Sequence, residues 1–180
     1  MYKHLLIFGM GLVCLASTSG CIGRAINEGA GVAFGASGKV TDLHKPEKLT
    51  DYKGLKVETL TVSQGLDVPG KMVTYLRESM HKSAGEMGLP SDRRPILLLT
   101  GEVIHYESGS VVDQAIGPLQ EVILRTQLRD ADTQAVLAES NLIGRARATT
   151  SGGSENLAEG VGKALRKWLE SAGFKEAKKE

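Results

Sequence analysis

Residues 95–107 read PILLLTGEVIHYE, and this segment decides the architecture of the chain. From Ile96 to Leu99 it is apolar at consecutive positions, so both faces of the strand that it predicts would be covered. A strand covered on both faces belongs inside a sheet. The other elements can therefore be arranged around a central strand at 95–107.

The segments before this strand predict a strand and a helix. Residues 55–63, LKVETLTVS, mix β-branched and charged residues in a way that is typical of a strand. Apolar residues then recur at helical spacing until Gly88 and Pro90 end the helix: Val68, Met72, Tyr75, Leu76, Met80 and Met87. The methionines favour core packing over an adaptable binding groove. A strand, a helix and a central strand in this order predict a parallel crossover.

The segments after the strand predict a hairpin and a closing helix. Residues 119–130 and 135–148 alternate apolar and polar side chains, and the sequence DADTQ from Asp130 supplies turn residues between them. A helix follows with Ser154 as N-cap, an end at Gly173, and a buried stripe of Leu157, Val161, Leu165 and Trp168. The predicted fold is α+β, a two-layer domain with a four-stranded mixed sheet and two helices on one face, in the order β-α-β-β-β-α.

Residues 1–21 have the pattern of an exported bacterial lipoprotein. Lys3 precedes an apolar run from Leu5 to Ala16, which is short for a bilayer span but typical of the middle of a signal peptide. The sequence TSGC at 18–21 resembles a lipobox, although Thr18 stands where leucine is more usual. The resemblance implies cleavage before Cys21 and attachment of diacylglycerol and palmitate to that residue. The alternative is a short N-terminal membrane anchor that stays attached.

These patterns divide the chain into four parts. Residues 1–20 are the predicted lipoprotein signal peptide, 21–50 a lipidated Gly-rich tether, 51–174 the α+β domain and 175–180 a charged tail. Ile22 follows Cys21 where an inner-membrane retention signal would have Asp, which favours the outer membrane, with the domain on the periplasmic side. Cys14 would leave with the signal peptide, so the mature chain would keep no thiol for a disulfide, a metal or catalysis.

Composition and motifs argue against several functional classes. The 22 Lys and Arg residues nearly cancel the 21 Asp and Glu residues, which argues against a nucleic-acid binder that neutralises phosphates. The histidines of the mature chain lack metal-ligand spacing, and no serine lies in a nucleophile elbow. The sequence therefore predicts no enzyme activity, no cofactor and no metal site.

Four arginines form the first candidate partner-binding site. Strand parity places two of them on one face of one predicted strand and two on one face of its hairpin partner: Arg125, Arg129, Arg145 and Arg147. Together they predict a basic patch on the sheet face that no helix covers, suited to an acidic partner or lipid headgroups. The alternative is a solvated face whose charge is balanced by Glu121 and Glu139.

The connection from Glu107 to Pro118 is the second candidate site. It is long for a hairpin connection, and Val111, Val112 and Ile116 are unusually apolar for exposed chain. One interpretation is a loop for self-association or for a partner. The other is a loop that folds back onto the core.

A family resemblance covers the segment from ILLLTGEVIHYESGS through the hairpin to the final helix. The Gly of the central strand, the GS after it, the Asp-containing turn and the SGGS before an alanine-rich helix resemble bacterial lipoproteins catalogued as domain of unknown function 4410. The loop after GS reads VVDQAIGP, where members of that family often have an arginine-bearing, glycine-rich loop. The strand order also resembles the N-terminal domain of TolB and the core of the curli-export lipoprotein, both envelope interaction modules.

The expected function is that of an outer-membrane lipoprotein with a non-catalytic periplasmic domain that acts as an envelope protein-interaction or assembly module. The alternative is a periplasmic module that binds a small ligand or glycan. The expected partners are the membrane, through the N-terminal lipid, and other envelope proteins, further copies of the chain included. Nucleic acid is not expected as a partner.

Overall fold

The structure is a computed structural model that describes residues 35–108, 119–147 and 153–177, without the side chains of Leu119 and Arg147. Within these residues the elements are β1 (Ser37–His44), β2 (Gly54–Val62), α1 (Met72–Glu86), β3 (Ile96–Glu107), β4 (Leu119–Asp130), β5 (Val136–Arg147) and α2 (Gly153–Ser171). The predicted α+β class, with a single mixed sheet and two helices, is confirmed.

The sheet has the strand order β1-β5-β4-β3-β2. Strands β2 and β3 are parallel, as the crossover through α1 requires, and all other neighbours are antiparallel. Strand β3 lies inside the sheet, as its apolar start predicts. Leu97 and Leu99 are fully buried on one face, and Leu98 is nearly buried on the other.

The sheet has five strands, and the prediction of four was wrong in this respect. The additional strand is β1, which lies within residues 21–50 and was assigned to the Gly-rich tether. Its backbone is fixed by tertiary contacts, because Lys163 donates a hydrogen bond to Ala36 O (2.8 Å) and Lys167 donates one to Gly38 O (2.8 Å). A glycine-rich segment with few apolar residues becomes an edge strand here through those contacts with α2.

The core lies between the sheet and the two helices. The predicted stripe of α2 is fully buried, and it meets the fully buried residues of β4 and β5: Leu124, Leu128, Ala138, Leu142 and Ala146. Helix α2 begins at Gly153, so Ser154 lies in its first turn instead of at the N-cap.

Glycines allow α2 to approach its neighbours closely. A Cβ added at Gly144 of β5 would overlap the carbonyl oxygen of Leu157, and one added at Gly160 would lie 2.9 Å from the Cα of Gly144. Gly162 serves a different contact, since its added Cβ would overlap the hydroxyl of Ser79 on α1. The helix therefore packs by backbone contact against both the sheet and the other helix.

Asp130 ties the β4–β5 turn to the start of β2. Its Oδ1 accepts hydrogen bonds from the backbone N–H and hydroxyl of Thr133 (2.6 and 2.9 Å), and its Oδ2 accepts one from the Tyr52 hydroxyl (2.6 Å). These bonds, that from Tyr52 first, lower the pKa of Asp130 to about 2. Burial and the Asp130 carboxylate raise the pKa of Tyr52 to about 12.

Candidate functional site: the open face of the sheet

Both helices pack on one face of the sheet, and in the described residues no helix covers the other face, which we call the open face. Alternate residues of β4 face the core, and the residues between them lie on the open face: Glu121, Ile123, Arg125, Gln127 and Arg129. Strand β5 contributes Glu139, Asn141, Ile143 and Arg145 to the same face. The sheet thus brings three of the four predicted arginines together on one surface, as strand parity predicts.

Two of these arginines form ion pairs across the β4–β5 hairpin. Arg145 Nε lies 2.5 Å from Glu121 Oε2, since the two residues are direct register partners. Arg125 Nε lies 2.7 Å from Glu139 Oε1, its diagonal neighbour. Cross-strand pairs of this kind fix side-chain positions on a sheet surface. Glu121 and Glu139 are predicted from the sequence to balance the charge of the arginines, and these two glutamates form the ion pairs.

The pairing continues as a chain of hydrogen bonds along β4. Glu139 Oε2 accepts a bond from Gln127 Nε2 (3.4 Å), and Gln127 Oε1 accepts bonds from Arg129 Nε (3.3 Å) and Nη2 (2.8 Å). The hydrogen bond from Arg125 and that from Gln127 lower the pKa of Glu139 despite its partial burial, so this carboxylate is charged at neutral pH. Arg129, in contrast with Arg125, is held by an amide oxygen.

A groove of about 500 Å³ crosses this part of the open face. Arg125, Gln127, Arg129 and Glu139 form one side, and the other side comes from β2 and β3: Thr59, Thr61, Thr100, Gly101 and Glu102. We call it the polar groove. The threonines and Gln127 were not among the residues predicted from the sequence. Their alternation along the strands, at Thr59 and Thr61 and at Thr100 and Glu102, was a signal that could have placed them on one face.

Apolar residues flank the polar groove. Leu98 and Ile143 are 7% and 9% exposed although they lie on the open face, and Ile123, the register partner of Ile143, is half-buried. The aliphatic stems of long polar neighbours can cover such residues and leave their charged ends in solvent. The open face therefore combines apolar floor with charged groups held in fixed positions.

The remaining candidate residues lie outside the described part of the chain. This holds for Val111, Val112 and Ile116 of the 107–118 loop, for the lipidation residue Cys21 and for the side chain of Arg147. The structure therefore brings Arg125, Arg129 and Arg145 together, and the site they share is the open face.

Two further features bear on chemistry and membrane contact. The described residues hold no cluster of three or more His, Asp or Glu side chains arranged to bind a metal ion. In the same residues, neither helix combines the length and the apolarity needed to span a bilayer.

A second groove, of about 530 Å³, runs between the two helices, where Arg166 pairs with Glu86.

Comparison with known proteins gives a likeness of fold. No family model matches the chain, and no curated protein sequence matches it either. Among solved structures, the PelC dodecamer from Paraburkholderia phytofirmans has 14% identity and a TM-score of 0.50, covering 79% of this chain and 99% of that one. The minor lipoprotein from Acinetobacter baumannii has 10% identity and a TM-score of 0.40, covering 70% and 98%.

At this identity the likeness to the PelC subunit shows a shared fold and nothing about activity. The resemblance to the family of domain of unknown function 4410 stays a prediction from the sequence, because no family model matches.

Proposed function

We propose that the chain is an outer-membrane lipoprotein whose periplasmic domain is a non-catalytic module for interaction or assembly with other envelope proteins. The observation that carries the proposal is the open face, where charged and apolar side chains are held in place on a surface that no described helix covers. Such a surface has little to reorganise when a partner docks, which lowers the entropy cost of binding.

Both edge strands of the sheet are protected against the addition of a further strand, and this favours docking on the open face. At the β2 edge, Arg77 donates to the carbonyl oxygens of Val57 (3.2 Å) and Glu58 (3.0 Å), beside a bulge in the strand. At the β1 edge, Lys163 and Lys167 engage backbone carbonyls in the same way. Cations and bulges at edge strands hinder the addition of a further strand. The open face is thus the better candidate surface.

The engagement of the charged groups supports a non-catalytic role. Glu139, whose pKa is lowered, is bound to Arg125 and Gln127, and Glu121 is bound to Arg145. A general base needs a carboxylate that is free to take a proton near a substrate. These carboxylates instead hold the arginines in position.

The membrane anchor is proposed from the sequence alone. The apolar run to Ala16 and the TSGC at 18–21 support lipidation at Cys21, and Ile22 supports the outer membrane. The PelC subunit of similar fold assembles as a dodecamer, which is compatible with a domain that associates with further copies of itself.

The test of the anchor compares two cysteine variants in a bacterial host supplied with radioactive palmitate. Cys21→Ser should abolish the label and release the protein from the outer-membrane fraction. Cys14→Ser is the matched control, because this cysteine lies in the segment that would be removed, and it should leave both label and fraction unchanged. Label retained in Cys21→Ser, or an outer-membrane protein without label in the wild type, would contradict the proposal.

The polar groove favours a second candidate, a module that binds a small ligand or a glycan. Threonine hydroxyls, an amide and charged groups line a concave surface of about 500 Å³, and such groups suit hydroxylated ligands. Among the described residues that line the groove, none is aromatic, so they offer no platform on which a sugar ring could stack. Saturation-transfer NMR with a panel of neutral oligosaccharides would favour this candidate if signals appeared in the wild type and vanished in Thr100→Val.

A further inference from the structure

The charges of the open face are unevenly compensated from one end to the other. Arg125 has Glu139 as its ion-pair partner and Glu102 as its direct register partner on β3. Arg129 lies opposite Leu98 on β3 and Val136 on β5 instead. In the described residues its guanidinium contacts the neutral Gln127 and no carboxylate within 4 Å.

A second cation lies in the same transverse row of the sheet. Lys56 of β2 is the register partner of Leu98 and is exposed, and its ammonium group makes no hydrogen bond or ion pair with the described part of the chain. Strands β2, β3 and β4 are neighbours, so the Cα atoms of Lys56 and Arg129 lie about 10 Å apart. The row Lys56–Leu98–Arg129–Val136, which we call the cationic strip, thus alternates positive and apolar side chains.

Two features of the strip identify the chemistry of its ligand. Val136 is 41% exposed, one of three large apolar side chains with such exposure in the described residues, so the strip offers apolar area as well as charge. Arg129 Nη1 has no acceptor among the described residues, although this residue lines the polar groove. Free guanidinium donors bind carboxylates with charge-assisted hydrogen bonds.

The composition of the strip favours a protein segment over a lipid surface. Val136 is exposed beside Arg129, so a ligand meets apolar area and charge within one row of the sheet. Headgroups offer the strip anionic charge, whereas an extended protein segment offers carboxylates and apolar side chains together on one face, two residues apart.

From this geometry we propose that the cationic strip docks an extended segment of an envelope protein that presents carboxylates and apolar side chains on the same face, at every second residue. The proposal rests on the proposed function and names the chemistry of the partner. Lys56 and Arg129 bind carboxylates, and the exposed Val136 contacts an apolar side chain of the segment. The complementary charge also steers the partner to this end of the open face.

The test measures binding of a fluorescein-labelled peptide of repeating Glu-Ser-Val-Ser, called the Val–Glu peptide because Glu and Val share one face when it is extended, to the full-length protein in neutral detergent, by fluorescence anisotropy. The Val–Gln peptide has Gln in place of each Glu. The double variant Lys56→Gln/Arg129→Gln should weaken binding at least tenfold, and added salt should weaken binding to the wild type. The control is Arg94→Gln, which removes an exposed arginine whose ion pair with Asp132 lies outside the strip, and it should leave binding unchanged. The Val–Gln peptide should bind at least tenfold more weakly than the Val–Glu peptide.

Equal binding of the Val–Glu peptide by the double variant and the wild type would overturn the proposal, as would equal binding of the two peptides by the wild type. Circular dichroism shows whether the variants fold, which is expected because Lys56 is exposed and Arg129 is half-exposed. Phosphatidylglycerol vesicles that bind through the strip, and that the Val–Glu peptide fails to displace, would also overturn it, in favour of a lipid ligand.

In-cell crosslinking separates a failure of this inference from a failure of the proposed function. A photoreactive residue at Val136 should capture a foreign envelope protein, as should one at Arg125, which lies elsewhere on the open face. Capture from position 125 without capture from position 136 would contradict docking at the cationic strip, and it would still support the proposed function as an interaction module. No capture from either position would contradict both.

Discussion

The two faces of the sheet are made by alternate residues of the same strands, and they are organised by different forces. On the helix-covered face, Leu124, Leu128 and Leu142 are fully buried against helices that approach to backbone contact. On the open face, Arg125 and Arg145 are held by carboxylates across the hairpin. Apolar burial supplies most folding free energy, whereas exposed ion pairs supply little. One face therefore makes the domain stable, and the other can hold a function at small cost in stability.

The largest expected difference comes from two neighbouring residues of β4. Leu124→Ala on the covered face should lower the free energy of unfolding by about 3 kcal/mol, because a fully buried leucine leaves a cavity. Ile123→Ala on the open face should cost about 1 kcal/mol, since this side chain is half-buried and its site borders solvent. Urea denaturation of both variants measures the difference. Equal losses would mean that the open face is itself part of a core.

A second contrast concerns two glycines. Gly144→Ala should destabilise the protein by about 1–3 kcal/mol, because the new Cβ would meet the backbone of α2, which must shift as a unit. At Gly101 the new Cβ would meet the side chains of Leu60 (3.1 Å) and Leu124 (3.2 Å), which can move aside. Gly101→Ala should therefore cost less, and thermal unfolding of the pair tests the order. A stable Gly144→Ala variant would show that α2 is not held at backbone contact.

The sequence predicts the covered face better than the open face. Helical and strand periodicities locate the stripe from Leu157 to Trp168 and the hairpin strands, because burial selects residue types strongly. On the open face, strand parity places Arg125 and Arg129 on the same surface. Which side chain each arginine binds depends on the register of the hairpin. The sequence therefore does not say that Arg125 meets Glu139 while Arg129 meets an amide.

Strand β1 was missed for a related reason. Ser37–His44 carries glycine and charged residues, and in the ladder it pairs with β5 alone. The extended backbone of this segment depends on hydrogen bonds from Lys163 and Lys167, which lie more than 120 residues away in sequence. No local pattern reports such contacts.

The ion pair between Arg125 and Glu139 on the open face should contribute less to the free energy of unfolding than the buried Leu124 does. A double-mutant cycle with Arg125→Gln and Glu139→Gln should give a coupling of about 0.2–1 kcal/mol, since Arg125 is 56% exposed and solvent screens the pair. The same cycle on Arg94 and Asp132, which are 72% and 66% exposed, should give a lower value. A coupling well above 1 kcal/mol for the first pair would contradict the view that this face is arranged for docking and not for stability.

A pH-dependent effect is expected at the contact of Tyr52 with Asp130. Asp130 has its pKa lowered to about 2, so its stabilising effect is present above its ordinary pKa of 3.8 and is lost as the pH falls towards 2. Tyr52 has its pKa raised to about 12, so its contribution is present below 10 and is lost as the pH rises through 12. Tyr52→Phe should therefore be less stable than the wild type at pH 7, and the gap should narrow at both extremes. Chemical denaturation across the pH range measures the gap, and a constant gap would contradict the assignment.

The central claim is that the open face receives the partner while the covered face holds the fold. The most direct test places a photoreactive residue in the lipidated protein in cells, at Thr61 on the open face or at Glu170 on α2, both exposed positions. Crosslinked products of defined mass are expected from Thr61 and none from Glu170. Products from Glu170 alone, or equal yields from both positions, would contradict it.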